Sequence, residues 1–195
     1  MKNRYSILSC LKLGYYVLRT KLISRRSRII RFPAEIRGRE YIDFGCNLTT
    51  GVRCRLEAFS KDKSIVMRFG NNVQLNDQVH ITAMSNVLIG NNVLMASNIY
   101  ISDCTHGFYS GNEKDSNPKV PPIMREYDVK NVIIEDNVWL GEGCCVLPGV
   151  IIGKGSIIGA NSVVCKSIPP YVIAVGSPAR PIKRFDFSTN KWTKI

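Results

Sequence analysis

The chain has 195 residues, a formal net charge of +12 and 45% hydrophobic residues. No apolar run approaches the roughly 18 residues that a membrane-spanning helix needs, so the composition predicts a single soluble domain and argues against an integral membrane protein. The seven cysteines show no paired metal spacing and the chain opens without a secretory signal, so we expect free thiols in a reducing cytoplasm.

The first 40 residues form a separate, strongly basic segment. They contain 11 Lys or Arg residues against two Glu residues, which gives the segment a charge of +9. We expect a basic amphipathic helix, ending before Pro33, that lies on an anionic membrane through residues 1–31, caps the next domain, or does both. Nucleic acid is not the predicted partner, because no recognised nucleic-acid module accompanies the charge. The apolar residues at helical spacing are Tyr5, Leu8, Leu11, Tyr15, Leu18 and Leu22.

In the rest of the chain, large apolar side chains recur with a period of six residues. No helix or ordinary strand has this period, whereas the rungs of a solenoid do. We therefore predict a β-helix over residues 41–184, with three rungs per triangular coil and with Gly or Asn at corners where φ turns positive. A long loop at 107–130 interrupts the helix, and residues 185–195 form a tail. The periodic residues are Phe69, Leu75 and Ile81, then, after a two-residue slip, Ile89, Met95 and Ile101, and finally Ile134, Leu140, Val146, Ile152, Ile158 and Val164.

The two histidines are the strongest candidates for acid–base chemistry. His106 ends a rung where the chain enters the long loop, so its imidazole is expected to face a cleft and to titrate near neutrality. His80 is interpreted as a wall or interface residue. Asp103 is a candidate to orient the imidazole of His106 or to bind the acceptor, with a turn residue as the alternative.

Three segments carry a resemblance to a known family: IGNNVLMASNIYISDCTH at 89–106, NVWLG at 137–141 and GSPAR at 176–180. Together with the intervening rungs they resemble the hexapeptide-repeat acetyltransferases of the left-handed β-helix superfamily. The likeness is strongest to the branch that contains galactoside, maltose and surface-polysaccharide O-acetyltransferases. It implies an all-β, left-handed parallel β-helix, a homotrimer with active sites between subunits, and acetyl-CoA as the acyl donor.

The resemblance also implies roles for individual residues. His106 stands at the position of the family's catalytic base, and Asn76 matches an asparagine that contacts the acceptor. Trp139 matches the residue at the acyl end of the coenzyme channel, where the N–H groups of Gly141 and Glu142 are candidates to bind the thioester oxygen. The remaining residues expected to bind the coenzyme are Ala160, Cys165, Lys166, Arg180 and Lys183.

The long loop and the basic N-terminal helix differ from the corresponding parts of the galactoside and maltose enzymes. The acceptor sugars of those enzymes are therefore not expected to be the acceptor of this chain. Arg125 and the loop aromatics are candidates to bind a sugar. We expect O-acetylation of a bacterial surface polysaccharide such as an O-antigen or capsule unit, on a lipid-linked acceptor at the inner face of the cytoplasmic membrane. In this scheme His106 of one subunit faces Trp139 and Lys166 of its neighbour, and neither an acyl-enzyme nor a metal is involved.

Two alternatives stay open. One is an N- or O-acetyltransferase of a soluble amino sugar or antibiotic, and the other is a non-catalytic hexapeptide scaffold. A zinc hydroxide enzyme on the same fold would need three histidine ligands, and the chain has two histidines.

Overall fold

The computed structural model describes residues 6–195, so Tyr5 and the basic residues before it lie outside the described part of the chain. One α-helix is followed by a parallel β-helix with three flat faces. The elements in chain order are α1 (Ile7–Ile23), β1 (Glu35–Arg37), a 3₁₀ turn (Arg39–Tyr41), β2 (Ile42–Asp43), β3 (Thr49–Thr50), β4 (Arg55–Ala58), β5 (Met67–Phe69), β6 (Gln74–Leu75), β7 (His80–Ala83), β8 (Val87–Ile89), β9 (Leu94–Met95), β10 (Tyr100–Ser102), β11 (Cys104–His106), a 3₁₀ turn (Pro122–Met124), β12 (Tyr127–Val129), β13 (Val132–Ile134), β14 (Trp139–Leu140), β15 (Cys145–Val146), β16 (Ile151–Ile152), β17 (Ile157–Ile158), β18 (Val163–Val164), β19 (Val172–Val175), β20 (Arg180–Asp186) and β21 (Lys191–Lys194).

Each coil passes through three sheets, which we call faces A, B and C. Face A contains β3, β6, β9, β14, β17, β19, β20 and β21. Face B contains β1, β4, β7, β10, β15 and β18, and face C contains β2, β5, β8, β13 and β16. Neighbouring strands are parallel and in register, as where Ile101 lies between Ile81 and Val146 on face B. The six-residue period of the sequence is therefore the passage from one face to the next.

The periodic side chains fill the interior of the stack. All six aliphatic residues of the C-terminal run, from Ile134 to Val164, are fully buried, and so are small residues such as Cys144 and Ser162 that precede them by two positions. Burying one such aliphatic side chain stabilises a protein by about 1.5–3 kcal/mol. Because each coil covers the apolar interior of the next, the core is continuous along the stack.

Asparagine side chains form a ladder at the corner between faces C and A. Asn47, Asn72, Asn92 and Asn137 all have φ between 56° and 59°, a left-handed conformation that Asn tolerates better than most residues. The side-chain amide of Asn47 donates to Asn72 at 3.1 Å, Asn72 donates to Asn92 at 3.1 Å, and Asn92 donates to Asn137 at 3.2 Å. Four successive coils are thus linked through one corner.

Helix α1 packs against the first coil of the solenoid. Ser6 caps its N-terminus by accepting a hydrogen bond from the Ser9 N–H at 3.2 Å. On its buried side the hydroxyl of Tyr16 donates to the Phe32 carbonyl at 2.6 Å, and Thr20 Oγ1 accepts from the Ile30 N–H at 2.7 Å. The capping role expected for this helix is therefore present in the fold. No helix within residues 6–195 is both long and apolar enough to cross a membrane.

The boundaries of the β-helix differ from those predicted. Ile29 already bridges Thr49 and β1 pairs with β4, so parallel stacking begins inside the segment expected to be a separate helix. Within the predicted loop 107–130, β12 pairs with β11 as an antiparallel hairpin. The predicted tail forms the end of β20 and all of β21, where the rings of Phe185 and Trp192 lie 5.2 Å apart.

Candidate active site

A cavity of about 650 Å³ opens on face B beside the loop. Its volume lies within the range of about 300–1,000 Å³ that small-molecule sites occupy. The loop and its hairpin contribute His106, Ile123 and Tyr127 to the lining, and the sheet contributes charged and aromatic side chains. Those from the sheet include Arg37, Arg55, Glu57, Phe59, His80 and Tyr100.

His106 is the last residue of β11, and the hairpin holds it at the lining of this cavity. It pairs with Tyr127 across the hairpin, and the two rings are 4.6 Å apart at an angle of 46°. The side chain is exposed, so a substrate can reach the imidazole. The Tyr109 hydroxyl donates to the backbone carbonyl of His106, which fixes the main chain at this point.

The structure gives Arg125 a role inside the loop. Its guanidinium donates to the Val120 carbonyl at 2.9 Å, to the Pro118 carbonyl at 3.2 Å and to the Tyr109 hydroxyl at 2.8 Å. These bonds use three of the five guanidinium N–H groups, so Arg125 shapes the loop and, through Tyr109, supports the backbone of His106. Two N–H groups remain, and binding of the acceptor by Arg125 stays a prediction.

Asp103 is fully buried. Its carboxylate accepts backbone hydrogen bonds from Met84 at 2.9 Å, from Ser85 at 2.7 Å and from Asn86 at 2.9 Å. The expectation that Asp103 orients His106 or contacts the acceptor is therefore wrong, and the alternative of a turn residue is correct. Asp103 closes the turn that the two-residue slip in the period inserts between β7 and β8.

A second group of candidate residues lies on face A and at its corner with face B. Trp139 points outward, is 48% exposed, and lies between Leu94 and Ile157 in register. Ile173 and Lys183 continue the same row across β19 and β20. Apolar side chains with a lysine beyond them suit the pantetheine arm and the phosphates of a coenzyme.

The corner between faces A and B holds the candidate residues Asn76, Gly141, Glu142 and Ala160. The Gly141 N–H donates to the Ile158 carbonyl at 2.8 Å. This bond belongs to the ladder between coils, so the expectation that Gly141 binds the thioester oxygen is corrected, and Glu142 remains the candidate donor. A Cβ on Gly141 would lie 2.6 Å from the Ala160 backbone nitrogen, which explains why only glycine fits there.

The remaining candidates divide between the two sides of the molecule. Arg180 pairs with Val175 at the end of β19, close to the corner that holds Ala160. Cys165 and Lys166 follow β18 and precede Ile168, which bridges to face C, so they lie at the corner opposite face A. Lys166 is consequently on the side of the solenoid from which the His106 loop emerges, and not beside Trp139 as expected.

Sequence reasoning missed a charged cluster on face B formed by Arg37, Arg55, Glu57 and His80. Glu57 is only 3% exposed and lies 3.0 Å from Arg37, 2.8 Å from Arg55 and 2.9 Å from His80. The signal was present in the complementary outward residues of EIR at 35–37 and RLE at 55–57, which pair in register. Within residues 6–195, no group of three or more His, Cys, Asp or Glu side chains is arranged to hold a metal ion.

Comparison with known proteins identifies the repeats. Residues 131–166 match the family described as bacterial transferase hexapeptide (six repeats). The chain is 43% identical over 194 residues to a protein of Escherichia coli K12 whose name assigns it to lipopolysaccharide biosynthesis as the O-acetyltransferase WbbJ, covering 100% of this chain and 97% of that one. It is 34% identical over 157 residues to the galactoside O-acetyltransferase of the same organism, covering 79% and 72% of the two chains.

A solved structure shares the fold. A variant of AntD, an N-acyltransferase from Bacillus cereus in complex with an amino sugar nucleotide and coenzyme A, superposes with a TM-score of 0.69 at 21% identity, covering 88% of this chain and 91% of that chain. The predicted all-β, left-handed parallel β-helix is thereby confirmed. Because the chain aligns with named O-acetyltransferases over most of their length, it belongs to the hexapeptide-repeat family of acyl-coenzyme A-dependent acetyltransferases.

Proposed function

We propose that the protein transfers the acetyl group of acetyl-CoA to a sugar hydroxyl of a bacterial surface polysaccharide, with His106 as the general base. The observation that carries the proposal is the exposed imidazole at the lining of a cavity whose volume and aromatic walls suit a sugar. The similarity to WbbJ, which extends over the whole chain, supports the choice of a surface polysaccharide.

The chemistry requires one base and one donor of a hydrogen bond to the thioester oxygen. Neutral His106 removes the proton of the sugar hydroxyl while that oxygen attacks the thioester carbonyl. The negative charge on the carbonyl oxygen is stabilised by the N–H of Glu142. When the tetrahedral intermediate collapses, the C–S bond breaks and the imidazolium returns its proton to the coenzyme thiolate. The products are an acetyl ester and free coenzyme A, and no acyl-enzyme forms.

The two groups of candidate residues call for more than one subunit. His106 opens on face B, whereas Trp139 and the corner residues Asn76, Glu142 and Ala160 belong to face A and its edge. We infer a homotrimer in which face B of one subunit meets the face A region of the next, a closed arrangement typical of soluble oligomers. In this arrangement Lys166 accompanies His106 rather than Trp139, and Arg180 and Lys183 accompany the coenzyme.

Helix α1 supports a lipid-linked acceptor. The side facing away from Tyr16 carries apolar residues that are 67–84% exposed, whereas the charged ends of Lys12 and Arg19 lie over the rings of Tyr16 and Phe32. An exposed apolar stripe on a basic helix is typical of a helix that lies in the surface of an anionic membrane. We propose peripheral binding to the inner face of the cytoplasmic membrane through this stripe. Its residues are Ile7, Leu8, Leu11, Leu18 and Leu22.

The test combines calorimetry with acetyl transfer. Acetyl-CoA titrated into the protein should bind at one site per chain with a dissociation constant between about 1 μM and 1 mM, or about −8 to −4 kcal/mol. His106→Ala should lower kcat by about 10²–10⁴ and leave that constant unchanged, because a base acts only on the chemical step. Lys154→Ala, a change at an exposed corner residue, is the matched control.

Two results would count against the proposal. If the protein does not bind acetyl-CoA, the remaining interpretation is a non-catalytic hexapeptide scaffold. A product with an acetyl group that resists mild alkali would be an amide, and the chain would then be an N-acetyltransferase of an amino sugar.

A further inference from the structure

The cluster of Arg37, Arg55, Glu57 and His80 lines the same cavity as His106, yet the mechanism above does not use it. Glu57 points outward from face B and is nevertheless buried, because the two guanidinium groups and the imidazole cover it. The rows on face A show that outward positions of this solenoid accept apolar residues such as Leu94 and Ile157. Stacking of coils therefore does not require a buried carboxylate here, and such groups tend to lie at functional sites.

The contacts fix the hydrogen-bonding state of His80. Burial raises the pKa of Glu57, but hydrogen bonds from Arg55 and His80 outweigh burial and lower it overall, so the group is a carboxylate at neutral pH. A carboxylate only accepts hydrogen bonds, so the Nε2 of His80, 2.9 Å away, carries a proton and donates it. When the imidazole is neutral, its Nδ1 is then an acceptor. Glu57 thus orients neutral His80 so that its Nδ1 accepts from a hydroxyl.

The net charge of the cluster indicates what the cavity can bind. Arg37 and Arg55 both pair with Glu35 and Glu57, so two positive and two negative charges cancel. A neutral ligand with many hydroxyl groups fits such a surface better than an anion does. The half-exposed guanidinium groups, with side-chain exposures of 52% and 44%, can donate to those hydroxyls. The cavity also offers the rings of Phe59, Tyr100 and Tyr127, which suit the C–H faces of sugar rings.

The two histidines face different parts of the cavity. His80 pairs with Tyr100 at the beginning of β10, and their rings are 5.3 Å apart. His106 lies beyond the end of β10, in the hairpin. The first and last residues of β10 are separated by about 7 Å at the usual rise of a strand. One hydroxyl that is bound to His106 therefore leaves His80 available to a neighbouring sugar unit.

We propose that His80, oriented by Glu57, binds a second sugar unit, so that the acceptor is at least a disaccharide. One unit presents its hydroxyl to His106, and the adjoining unit donates a hydroxyl to the Nδ1 of His80 and accepts from Arg37 and Arg55. The proposal rests on the acetyl transfer to sugars proposed above. It makes His80 and its carboxylate partner determinants of acceptor length.

The test compares acceptors of two lengths. Transfer from radiolabelled acetyl-CoA is measured with hexoses, 6-deoxyhexoses and N-acetylhexosamines as methyl glycosides, and with the matching disaccharides. The wild type should prefer the disaccharide of an accepted sugar by about tenfold or more in kcat/KM, the effect of one hydrogen bond to a well-oriented group. His80→Ala should abolish this preference by raising the KM for the disaccharide, with the monosaccharide rate and the affinity for acetyl-CoA unchanged.

Two further variants keep the test specific. His80→Asn places an amide oxygen where the Nδ1 stood, and it should restore part of the preference. Glu57→Gln should weaken the preference in the same way as His80→Ala, and its circular dichroism should stay that of the wild type. Equal effects of His80→Ala on both acceptor lengths, or no effect, would overturn this inference and leave the acetyltransferase proposal intact. Binding of acetyl-CoA without transfer to any sugar would overturn both.

Discussion

Asp103 precedes the candidate base by three residues, yet it serves the fold. Both of its carboxylate oxygens accept backbone hydrogen bonds from the turn at 84–86, and its own carbonyl accepts from the Lys130 N–H at 2.8 Å where the chain leaves the hairpin. One buried carboxylate thus joins the turn of one coil to the base of the hairpin that carries His106. A residue can support a catalytic group in this way without touching it.

This role predicts a loss of stability on substitution. Asp103→Ala removes the buried carboxylate that accepts hydrogen bonds from three backbone N–H groups. A hydrogen bond to a charged group is worth about 1.5–3 kcal/mol, so the free energy of unfolding should fall by about 3 kcal/mol or more. Denaturant unfolding measures the change. Glu113→Gln, at an exposed acidic residue of the loop, is the control and should have no measurable effect. If Asp103→Asn raises the KM for the acceptor and leaves the stability unchanged, Asp103 contacts the acceptor and the structural role is contradicted.

Residues of the inward rows were predictable, whereas those of the outward rows were not. Inward positions such as Leu140 and Val146 repeat the same environment in every coil, so the sequence shows their period directly. Outward positions such as Glu57 depend on which neighbours meet in register, and register is known only once the coils are stacked. The hydrogen bond that uses the Gly141 N–H was predictable from parallel stacking, because every coil bonds to the next.

At the scale of elements, the irregular segments gather at one corner. The segments at 59–66, 84–86 and 103–131 all leave the solenoid after a strand of face B and return to face C. The slip in the sequence period indicated an insertion between Ile81 and Ile89. It could not show at which corner of the solenoid the inserted residues lie. Because the insertions share a corner, the other two corners keep unbroken ladders, including the one formed by Asn47, Asn72, Asn92 and Asn137.

Helix α1 caps the first coil, and the membrane binding proposed for its exposed stripe can be tested without loss of that cap. Leu11 and Leu18 are 67% and 73% exposed, so Leu11→Ser combined with Leu18→Ser should leave the fold unchanged. Sedimentation with vesicles containing anionic phospholipid should fall by about tenfold or more, since each leucine side chain contributes about 1.5–3 kcal/mol on burial.

Deletion of residues 1–31 would be a poorer experiment, because it removes the buried residues Tyr16 and Ile30 and exposes the first coil. The control is Ile123→Ser, an equally exposed apolar residue in the loop. Equal sedimentation of the double variant and the wild type would contradict a membrane role of the stripe.

At the scale of the whole molecule, the separation of His106 from Trp139 predicts complementation between inactive subunits. His106→Ala and Trp139→Ala should each be inactive alone. After mixed assembly in equal amounts, a site between subunits has an intact histidine with a probability of one half and an intact tryptophan with a probability of one half. About one quarter of the sites should therefore recover.

The measurement is the transfer rate of the refolded mixture relative to the wild type. Unmixed samples taken through the same refolding serve as the control. Lack of recovery in a mixture that reassembles as a trimer would place both residues in a site within one subunit.

The two ends of the stack are built differently from its middle, and this limits how copies can associate. A solenoid with bare terminal strands could add another copy end to end and grow into a fibre. Here α1 covers the first coil, and the last strand of face A is turned back as a hairpin whose outer edge carries Lys191 and Lys194. Charged side chains on an edge strand discourage pairing with a further strand. The flat faces of the solenoid remain for side-by-side contact, which favours the closed trimer proposed above over an open filament.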